Sequence, residues 1–416
     1  MTDFAMTGGT AGNRRPALAR LLAISTDEFA EKYWGSAPKL STAAELGAAF
    51  DDLFSNDAAD ELMAKRGLRT PFLRVAKDGR TLGDAEFTAP GGVGAAIRDQ
   101  LSDDRLLRLF ADGSTLVLQG LHRTWGPLID FAGQLGTDLG HPVQVNAYVT
   151  PAQSTGFSSH YDVHDVFVIQ IAGQKRWQIR QPVLSLPLRT QPWEQRRAAV
   201  AEAGQEKPLL EVTMSPGDVL YLPRGYLHAA TALGEISTHV TIGIHAWTRH
   251  HLLERLITYA VARLADDPEV RRSLPISADA GHADRVPAAD FESVRERLIA
   301  VLAGATPADV LPQTELAHRA AQRAAPVAPI ASVVAAGALG PDDILTLRPH
   351  LAAVLTEPNA DGAAEVVSRA GQFAVAAGEL AGVEQLLAGG TIAVRESGID
   401  LARRLVLGGI ATVVRR

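Results

Sequence analysis

Two histidines and one aspartate have the residue types and spacing to hold a metal ion. The stretch GFSSHYDVHDVFVIQIAGQKRW, residues 156 to 177, places His160 and Asp162 two positions apart, just ahead of an apolar run typical of a strand. Side chains alternate between the faces of a strand, so both would point the same way. Farther along, MSPGDVLYLPRGYLHAA supplies His228 after a Pro-Arg-Gly turn. Two imidazoles and one carboxylate can form the facial triad of non-haem iron(II), which leaves coordination positions open.

A His-x-Asp tripeptide alone is a weak signal, because a histidine on a strand is more often a surface or core residue. Lys175 adds to it. We predict a tight turn at Gly173 and Gln174, after which Lys175 begins the return strand of a hairpin. Its ammonium can then lie inside the small barrel that the strands of this region would form. A lysine in apolar surroundings is costly unless an anion pairs with it. The distal carboxylate of 2-oxoglutarate is such an anion; the alternative is a solvated hairpin lysine.

The composition is that of an ordinary globular protein of two or three domains. The chain has 416 residues, with 46% hydrophobic and 21% charged residues, and this length exceeds what one core usually serves. A net charge of -7 offers no overall attraction to nucleic acid or anionic lipid, so no DNA partner is expected. The chain has no cysteine, signal-like N-terminus or membrane-spanning stretch. We expect a soluble, cytoplasmic protein.

Four segments follow from the patterning, and together they indicate an α+β protein. Capping signals and helical spacing fill residues 1–70. Short β-branched runs separated by Gly, Pro and Asp fill residues 71–250, as in a small antiparallel barrel or sandwich. Helical spacing returns over 251–340, ending in an Ala- and Pro-rich linker. The segment 341–416 mixes helices with short strands and suggests a winged-helix-like module.

The stretch NAYVTPAQSTGFSSHYDVHDVFVIQIAGQKRWQI, followed by PGDVLYLPRGYLH and STHVTI, resembles the JmjC-type ribosomal oxygenases of the cupin superfamily. These are protein hydroxylases that depend on iron(II), with 2-oxoglutarate and O2 as co-substrates. The resemblance is densest over residues 144–244. It implies a double-stranded β-helix, the JmjC/cupin barrel, with N-terminal helices, a helical dimerisation region and a C-terminal winged-helix-like module. It also implies a homodimer that hydroxylates an arginine or histidine of a ribosomal protein, releasing succinate and CO2.

The family's site residues fall on seven positions of this sequence. The resemblance assigns the metal to His160, Asp162 and His228. It assigns 2-oxoglutarate and its pocket to Lys175, Asn146, Tyr148 and Thr241, the last less firmly because the loop after His228 varies in length. Bacterial members can carry arginine at the cation position, whereas Lys175 is more like the eukaryotic branch. That departure leaves the target side chain open.

Two further histidines and three other functions stay open. We expect His164 to serve at the pocket edge or structurally, since a further ligand would overfill an open site, and His239 to be a hydrogen-bonded barrel residue. The same oxygenase chemistry could act on a natural-product precursor peptide or a small molecule. Alternatively, the chain could be a zinc or manganese cupin hydrolase or isomerase, or a non-catalytic peptide-binding module; neither needs Lys175.

Overall fold

The computed structural model describes residues 15–47, 49–77, 79–94, 96–152, 154, 158–275 and 286–414. In the N-terminal part the elements are α1 (Pro16–Arg20), α2 (Thr26–Lys32), β1 (Lys39–Ser41), α3 (Ala43–Leu46) and α4 (Asn56–Lys65). Ser25 caps α2 by accepting the backbone N–H of Glu28, as its position predicts. The segment is not purely helical, however, because β1 joins the main sheet beside a later strand. Residues 1–14 lie outside the described residues.

The central part contains most of the strands. They are β2 (Leu73–Lys77), β3 (Arg80–Thr81), β4 (Thr88–Ala89), β5 (Gln100–Leu101), β6 (Thr115–Leu118), β7 (Val143–Thr150), β8 (Asp165–Arg180), β9 (Leu210–Met214), β10 (Val219–Leu222) and β11 (Leu227–Ile244). The helices between them are α5 (Asp103–Ala111), α6 (Leu121–Thr124), α7 (Gly126–Leu139) and α8 (Arg197–Ala203). Nine strands of the described chain form one antiparallel sheet in the order β1-β10-β8-β11-β7-β6-β2-β3, with β9 paired to β8.

The predicted hairpin turn at Gly173 and Gln174 is wrong, because β8 runs on without reversing. It pairs with β11 on both sides of Gly173, so the two long strands stay together along their length. The glycine marks a bulge instead: residues 234–237 of β11 have no partner on β8, while Leu233 pairs with Gln174 and Thr238 with Ala172. Gly173 has φ 59° there, in the left-handed region that glycine adopts at little cost.

The bulge lets β8 bend over the sheet and enclose a small interior. Val168 and Trp177 are nine residues apart, and a straight strand would separate them by about 30 Å. Both nevertheless belong to one buried cluster with Met214 and Leu220. The alternate residues of β8, such as Phe167, face the larger core beneath the N-terminal helices and α7. A single strand therefore supplies side chains to both cores.

Helices and two small sheets make up the rest of the chain. The helices are α9 (Arg249–Leu264), α10 (Ala288–Gly304), α11 (Pro307–Ala320) and α12 (Pro329–Gly337). The terminal elements are β12 (Ile344–Leu347), β13 (Val354–Leu355), β14 (Ala364–Ser368), β15 (Gly371–Val375), α13 (Leu380–Leu387), β16 (Thr391–Ala393), α14 (Val394–Ser397), α15 (Ile399–Leu407) and β17 (Ala411–Val413). The terminal elements share a separate core. Helices and short strands do alternate there, but the winged-helix likeness stays a prediction. Among the described helices, none has the length and apolarity to cross a bilayer.

Two glycines of the bulge provide a matched test of this bend. A Cβ at Gly173 would lie 2.2 Å from the carbonyl oxygen of Ile236, whereas one at Gly234, φ 69°, would meet nothing within 4 Å. Gly234→Ala should therefore cost only the left-handed backbone penalty, about 1 kcal/mol. Gly173→Ala adds a backbone clash and should lower the free energy of unfolding by about 3 kcal/mol. Urea titrations of the two variants check this; equal losses would contradict the close approach.

Candidate active site

The metal-binding residues predicted from the sequence meet at one end of the main sheet. One ligand atom from each of His160, Asp162 and His228 lies within 4.8 Å of the other two. Nε2 of His228 is 3.8 Å from a carboxylate oxygen of Asp162. The three side chains line a cavity of about 530 Å³ that is open to solvent.

The local route to this cluster differs from the predicted one. β8 begins only at Asp165, so His160 and Asp162 lie in the loop that enters it and not on a strand. The strand-like contact is a single bridge to the start of β11. The backbone N–H of His160 donates to the His228 carbonyl at 3.2 Å, and the N–H of His228 donates to the His160 carbonyl at 2.8 Å. This bridge, more than side-chain alternation, places both imidazoles side by side.

Backbone carbonyls select the ring tautomer that a metal ligand needs. Nδ1 of His160 donates to the Ser158 carbonyl at 2.8 Å, and Nδ1 of His228 donates to the Tyr226 carbonyl at 3.1 Å. A carbonyl oxygen only accepts, so each Nδ1 carries the hydrogen and each neutral ring presents a lone pair at Nε2. Metal-ligating histidines commonly have such an outer partner. The donor set of two imidazole nitrogens and one carboxylate thus fits iron(II) or a similar divalent ion.

The charge states of the cluster also suit a cation. Burial, followed by the nearby His160, lowers the pKa of His228 to about 4, so its imidazole is neutral near pH 7. Burial alone would raise the pKa of Asp162. Attraction from His164, His228, His160 and Arg74 outweighs it and leaves that pKa below its usual value. Neutral imidazoles and an ionised carboxylate are the forms that bind metal, so no proton need leave these two groups first.

Lys175 lies inside the same cavity, as predicted, although it reaches it from a continuous bent strand. The side chain is 3% exposed. Its Nζ donates to Oγ1 of Thr150 at 3.2 Å and lies 3.4 Å from Nδ1 of His239. Among the described residues, no carboxylate lies within ion-pair distance of this ammonium. Burial lowers its pKa to about 7. The cavity therefore contains a desolvated cation whose partner is not a protein anion.

Aromatic rings fix the wall around Lys175. The rings of Tyr148 and His239 stack with centroids 4.9 Å apart and planes 5° apart, and Trp177 meets His239 edge to face at 5.4 Å. Burial first, then the charge of Lys175, lowers the pKa of His239 well below its usual value, so the ring is neutral. Burial likewise raises the pKa of the Tyr148 phenol. His239 is thus a buried, hydrogen-bonded residue of the sheet.

The remaining predicted pocket residues separate into two groups. Tyr148 and Thr241 line the cavity. Asn146 is absent from its lining; its Oδ1 accepts the backbone N–H of Gly120 at 3.2 Å. Asn146 therefore joins β7 to the loop before α6, and its co-substrate role stays a prediction. Outside the metal cluster, Nε2 of His164 lies 3.2 Å from the side-chain nitrogen of Gln144.

Several residues that line the cavity or contact its lining were not predicted from the sequence. Arg74 on β2 hydrogen-bonds Tyr148 and acts on Asp162 through its charge. Trp193 lies 6.3 Å from the His160 ring, with the Arg197 guanidinium over it. Thr150, which holds Lys175, shares a face of β7 with Tyr148, and that period-two spacing could have revealed it. The others come from distant segments and carry no local signal.

The cluster predicts which substitutions abolish metal binding. His160→Ala, Asp162→Ala and His228→Ala should each weaken iron(II) affinity at least about a hundredfold, because a ligand is worth more than the outer partners whose loss costs 10- to 100-fold. His164→Ala is the matched control and should bind normally, because its ring lies outside the cluster. Anaerobic calorimetric titration measures both. Unchanged affinity in the three ligand variants would show that the cluster is not a metal site.

The JmjC domain family matches residues 134–252, which include all three members of the cluster. Two relatives illustrate the sequence similarity. The NO66 bifunctional lysine-specific demethylase and histidyl-hydroxylase of Culex quinquefasciatus is 38% identical over 138 residues, 31% of this chain and 20% of that protein. Ribosomal oxygenase 1 of Gallus gallus is 29% identical over 255 residues, 60% of this chain and 40% of that protein. The chain thus spans well under half the length of these relatives.

Solved structures extend the likeness to nearly the whole chain. The crystal structure of Escherichia coli ribosomal oxygenase YcfD aligns over 94% of this chain and 98% of its own, with a TM-score of 0.55 and 16% identity. A YcfD structure in complex with cobalt and 2-oxoglutarate aligns over 94% and 99%, with a TM-score of 0.54 and 15% identity. At such identity the likeness shows the fold alone. The predicted α+β class and JmjC/cupin fold are confirmed. Residues 134–252 therefore form a JmjC domain, and the chain is a relative of the JmjC-type ribosomal oxygenases.

Proposed function

We propose that this chain is an iron(II)- and 2-oxoglutarate-dependent oxygenase that hydroxylates a protein side chain. One observation carries the proposal: a three-ligand cluster and a buried, anion-free lysine face the same cavity. The cluster alone fits several divalent metals, and the lysine alone fits any carboxylate. Together they fit a metal with a dicarboxylate co-substrate. The YcfD complex with cobalt and 2-oxoglutarate supports this pairing by fold.

Each residue of the site then has a physical task. His160, Asp162 and His228 would hold iron(II) and leave open positions on its cavity side. Iron(II) and 2-oxoglutarate, when bound, supply the oxidising chemistry, in which the co-substrate becomes succinate and CO2 and one oxygen atom of O2 enters a substrate C–H bond. Lys175 would bind the distal carboxylate, with Thr150 keeping the ammonium in place. The stacked Tyr148 and His239 rings would exclude water around that ion pair.

Lys175 also separates the proposal from its rivals. A zinc or manganese hydrolase or isomerase would use the same three ligands, yet it has no need for a cation sealed in the cavity. A binding module would have no reason to meet the cost of burying that cation. An unpaired buried ammonium is expensive, which its lowered pKa reflects. A bound dicarboxylate offsets that cost, so the residue fits an oxygenase best.

A ribosomal protein is the substrate that we propose, with arginine or histidine as the target. The printed names of the relatives, ribosomal oxygenase and histidyl-hydroxylase, support this class. Glu194 lines the cavity and offers a carboxylate to a cationic side chain. Such a substrate would place the enzyme in the cytoplasm, which a chain without cysteine suits.

We also propose that a second copy of the chain covers the helices after the barrel. Along α9, Leu253 and Val261 are 53% and 60% exposed, and on α10 Phe291 and Ile299 are 61% and 57% exposed. No residue of α10 is buried. Apolar surface of this extent on adjacent helices is typical of an interface. A homodimer would bury it without any other partner.

Lys175 should control co-substrate binding and its dependence on pH. Because its pKa is lowered to about 7, the free lysine loses its charge as the pH rises above 7, whereas a bound carboxylate keeps it charged. At pH 8, 2-oxoglutarate binding should therefore take up close to one proton, and affinity should fall as the pH rises from 7 to 9. Calorimetry in two buffers of different ionisation enthalpy measures the uptake.

Two substitutions of Lys175 distinguish the effect of its positive charge from the effect of losing that charge as the pH rises. Lys175→Met should weaken 2-oxoglutarate binding by about 10- to 150-fold, the equivalent of a charge-assisted hydrogen bond, and leave iron(II) affinity unchanged. Lys175→Arg keeps a charge that does not titrate in this range, so it should bind without proton uptake. Normal 2-oxoglutarate affinity in Lys175→Met would remove the basis of the proposal.

Turnover on a polypeptide tests the substrate class. With iron(II), ascorbate, 2-oxoglutarate and oxygen, the protein should convert one component of a ribosomal-protein extract to a form about 16 Da heavier, the mass of one inserted oxygen. Tandem mass spectrometry should locate that oxygen on an arginine or histidine. Asp162→Ala should abolish both the product and succinate. Succinate without a modified polypeptide would point to a small molecule or precursor peptide, and no succinate at all would favour a hydrolase or binding module.

The dimer is tested by mass in solution. Light scattering after size exclusion should give twice the chain mass for the wild-type protein. Val261→Glu and Phe291→Glu should shift the mass toward the monomer, because each buries a charge in the proposed interface. Leu107→Glu, on α5 at 68% exposure, is the matched control and should remain dimeric. A wild-type monomer at micromolar concentration would refute the interface.

A further inference from the structure

A second cleft lies away from the active site, where the terminal domain meets the main sheet. It has a volume of about 490 Å³, close to that of the catalytic cavity. Its walls come from α6 and α7, from residues 321–327 after α11, and from three residues of the terminal domain. Neither the metal cluster nor Lys175 contributes to it.

The charges that line this cleft are almost all positive. Arg123, Arg323, Arg348 and Arg369 face it, with Asp130 as the one carboxylate in its lining. Within the described chain, no acidic group forms an ion pair with any of these four arginines. The lining thus carries an excess of three positive charges even with its histidines neutral. A guanidinium without a carboxylate partner can form charge-assisted, bidentate hydrogen bonds with an oxyanion from outside the chain.

The two arginines of the terminal domain are held in place by neutral groups. Arg348 donates from Nε to the Ala325 carbonyl at 2.7 Å and from Nη1 to the Gly409 carbonyl at 3.2 Å. Arg369 donates from Nη1 to the His350 carbonyl at 2.9 Å. Its Nε is buried and has no hydrogen-bond partner. Burial lowers the pKa of both guanidinium groups.

The part of the cleft wall formed by His350 is closely fitted. The ring of His350 lies against α7 at Gly133, where a Cβ would come within 2.9 Å of it. Oγ1 of Thr137 is 3.1 Å from Nδ1 of the same ring. His350 has φ 57°, a left-handed conformation that costs a residue other than glycine about 1–2 kcal/mol. Strained backbone of this kind concentrates at ligand sites, and here it directs the His350 carbonyl to Arg369.

A hydrogen-bond donor comes from the main-sheet side as well. The backbone N–H of Val145 donates to Nδ1 of His122 at 3.0 Å. The neutral ring therefore carries its hydrogen on Nε2, as a donor. Burial lowers the pKa of His122, so the ring stays neutral near pH 7. His122 lines the same cleft as the arginines.

We infer that this cleft binds a multivalent phosphate, such as pyrophosphate or the phosphate chain of a nucleotide. Four guanidinium groups line the cleft and form no ion pair within the described chain, so together they form a site for oxyanions. A ligand with one carboxylate would neutralise only one of the three excess positive charges, whereas a polyphosphate could neutralise all three. Planar guanidinium forks suit phosphate oxygens in particular.

Calorimetric titration of the full-length chain with pyrophosphate tests the inference, at a salt concentration of about 0.15 M, where weak surface attraction is screened. Arg369→Gln should weaken binding at least about tenfold, since a hydrogen bond between charged groups is lost. Arg323→Gln should do the same, and its exposed position avoids any effect on folding. Arg395→Gln, an ion-paired arginine of the same domain outside the cleft, is the matched control and should bind normally.

Further titrations, with another variant and with other ligands, identify the site and the class of ligand. Lys175→Met should bind pyrophosphate like the wild type, so a failure of the oxygenase proposal leaves this one untouched. ATP that binds as tightly as pyrophosphate or more tightly fits the inference, because the phosphate chain is the shared part. Acetate should bind at least tenfold more weakly. No binding of pyrophosphate at millimolar concentration, equal loss in Arg395→Gln, or loss only in Lys175→Met would each overturn the inference.

Discussion

The pairing of β8 with β11 is the constraint on which the site depends. These strands stay hydrogen-bonded from one end to the other, and the bulge at Gly173 lets them bend together. Their ends therefore return to the same interior. Lys175 comes from β8, and His228 comes from the start of β11. Without the bend, the metal cluster and the lysine would lie on separate parts of an open sheet.

The bent pair of strands β8 and β11 also explains how polar side chains can lie in a cavity surrounded by apolar cores. Buried polar groups need partners, and the loops before β8 and β11 each provide one carbonyl, from Ser158 for His160 and from Tyr226 for His228. The contacts of Lys175, a hydroxyl and an imidazole, are neutral and leave its charge without a counter-ion. A bound anion would offset the cost of burying the Lys175 ammonium. The lowered pKa of Lys175 and the proposed affinity for a dicarboxylate are then two consequences of the same burial.

The chain contains two cationic sites with different construction. The catalytic cavity uses one lysine, deeply buried, whose charge depends on pH. The second cleft uses four arginines, which keep their charge, arranged between the main sheet and the terminal domain. An anion there would contact both parts at once and strengthen their association. The proposed role of the terminal domain is therefore to bind an anion, and it does not depend on a winged-helix likeness to DNA-binding proteins. The net charge of the chain disfavours DNA as a partner.

Residue type and local spacing made the three cluster residues and Lys175 candidates, because such chemistry needs particular side chains near strand-like segments, and the family resemblance then selected them. Residue type and spacing were not enough to place them. The sequence around Gly173 suits a hairpin turn and a bulge equally well, since both need a left-handed glycine, and only pairing with β11 decides between them. Asn146 was assigned to the co-substrate pocket, but its side chain accepts a hydrogen bond from Gly120, which depends on how the next helix packs. The arginines of the second cleft are separated by more than 200 residues in sequence, between Arg123 and Arg369, and local patterns contain no information on such distances. Their convergence is a product of tertiary packing, in which burial of apolar surface brings distant segments together and leaves their charges facing one space.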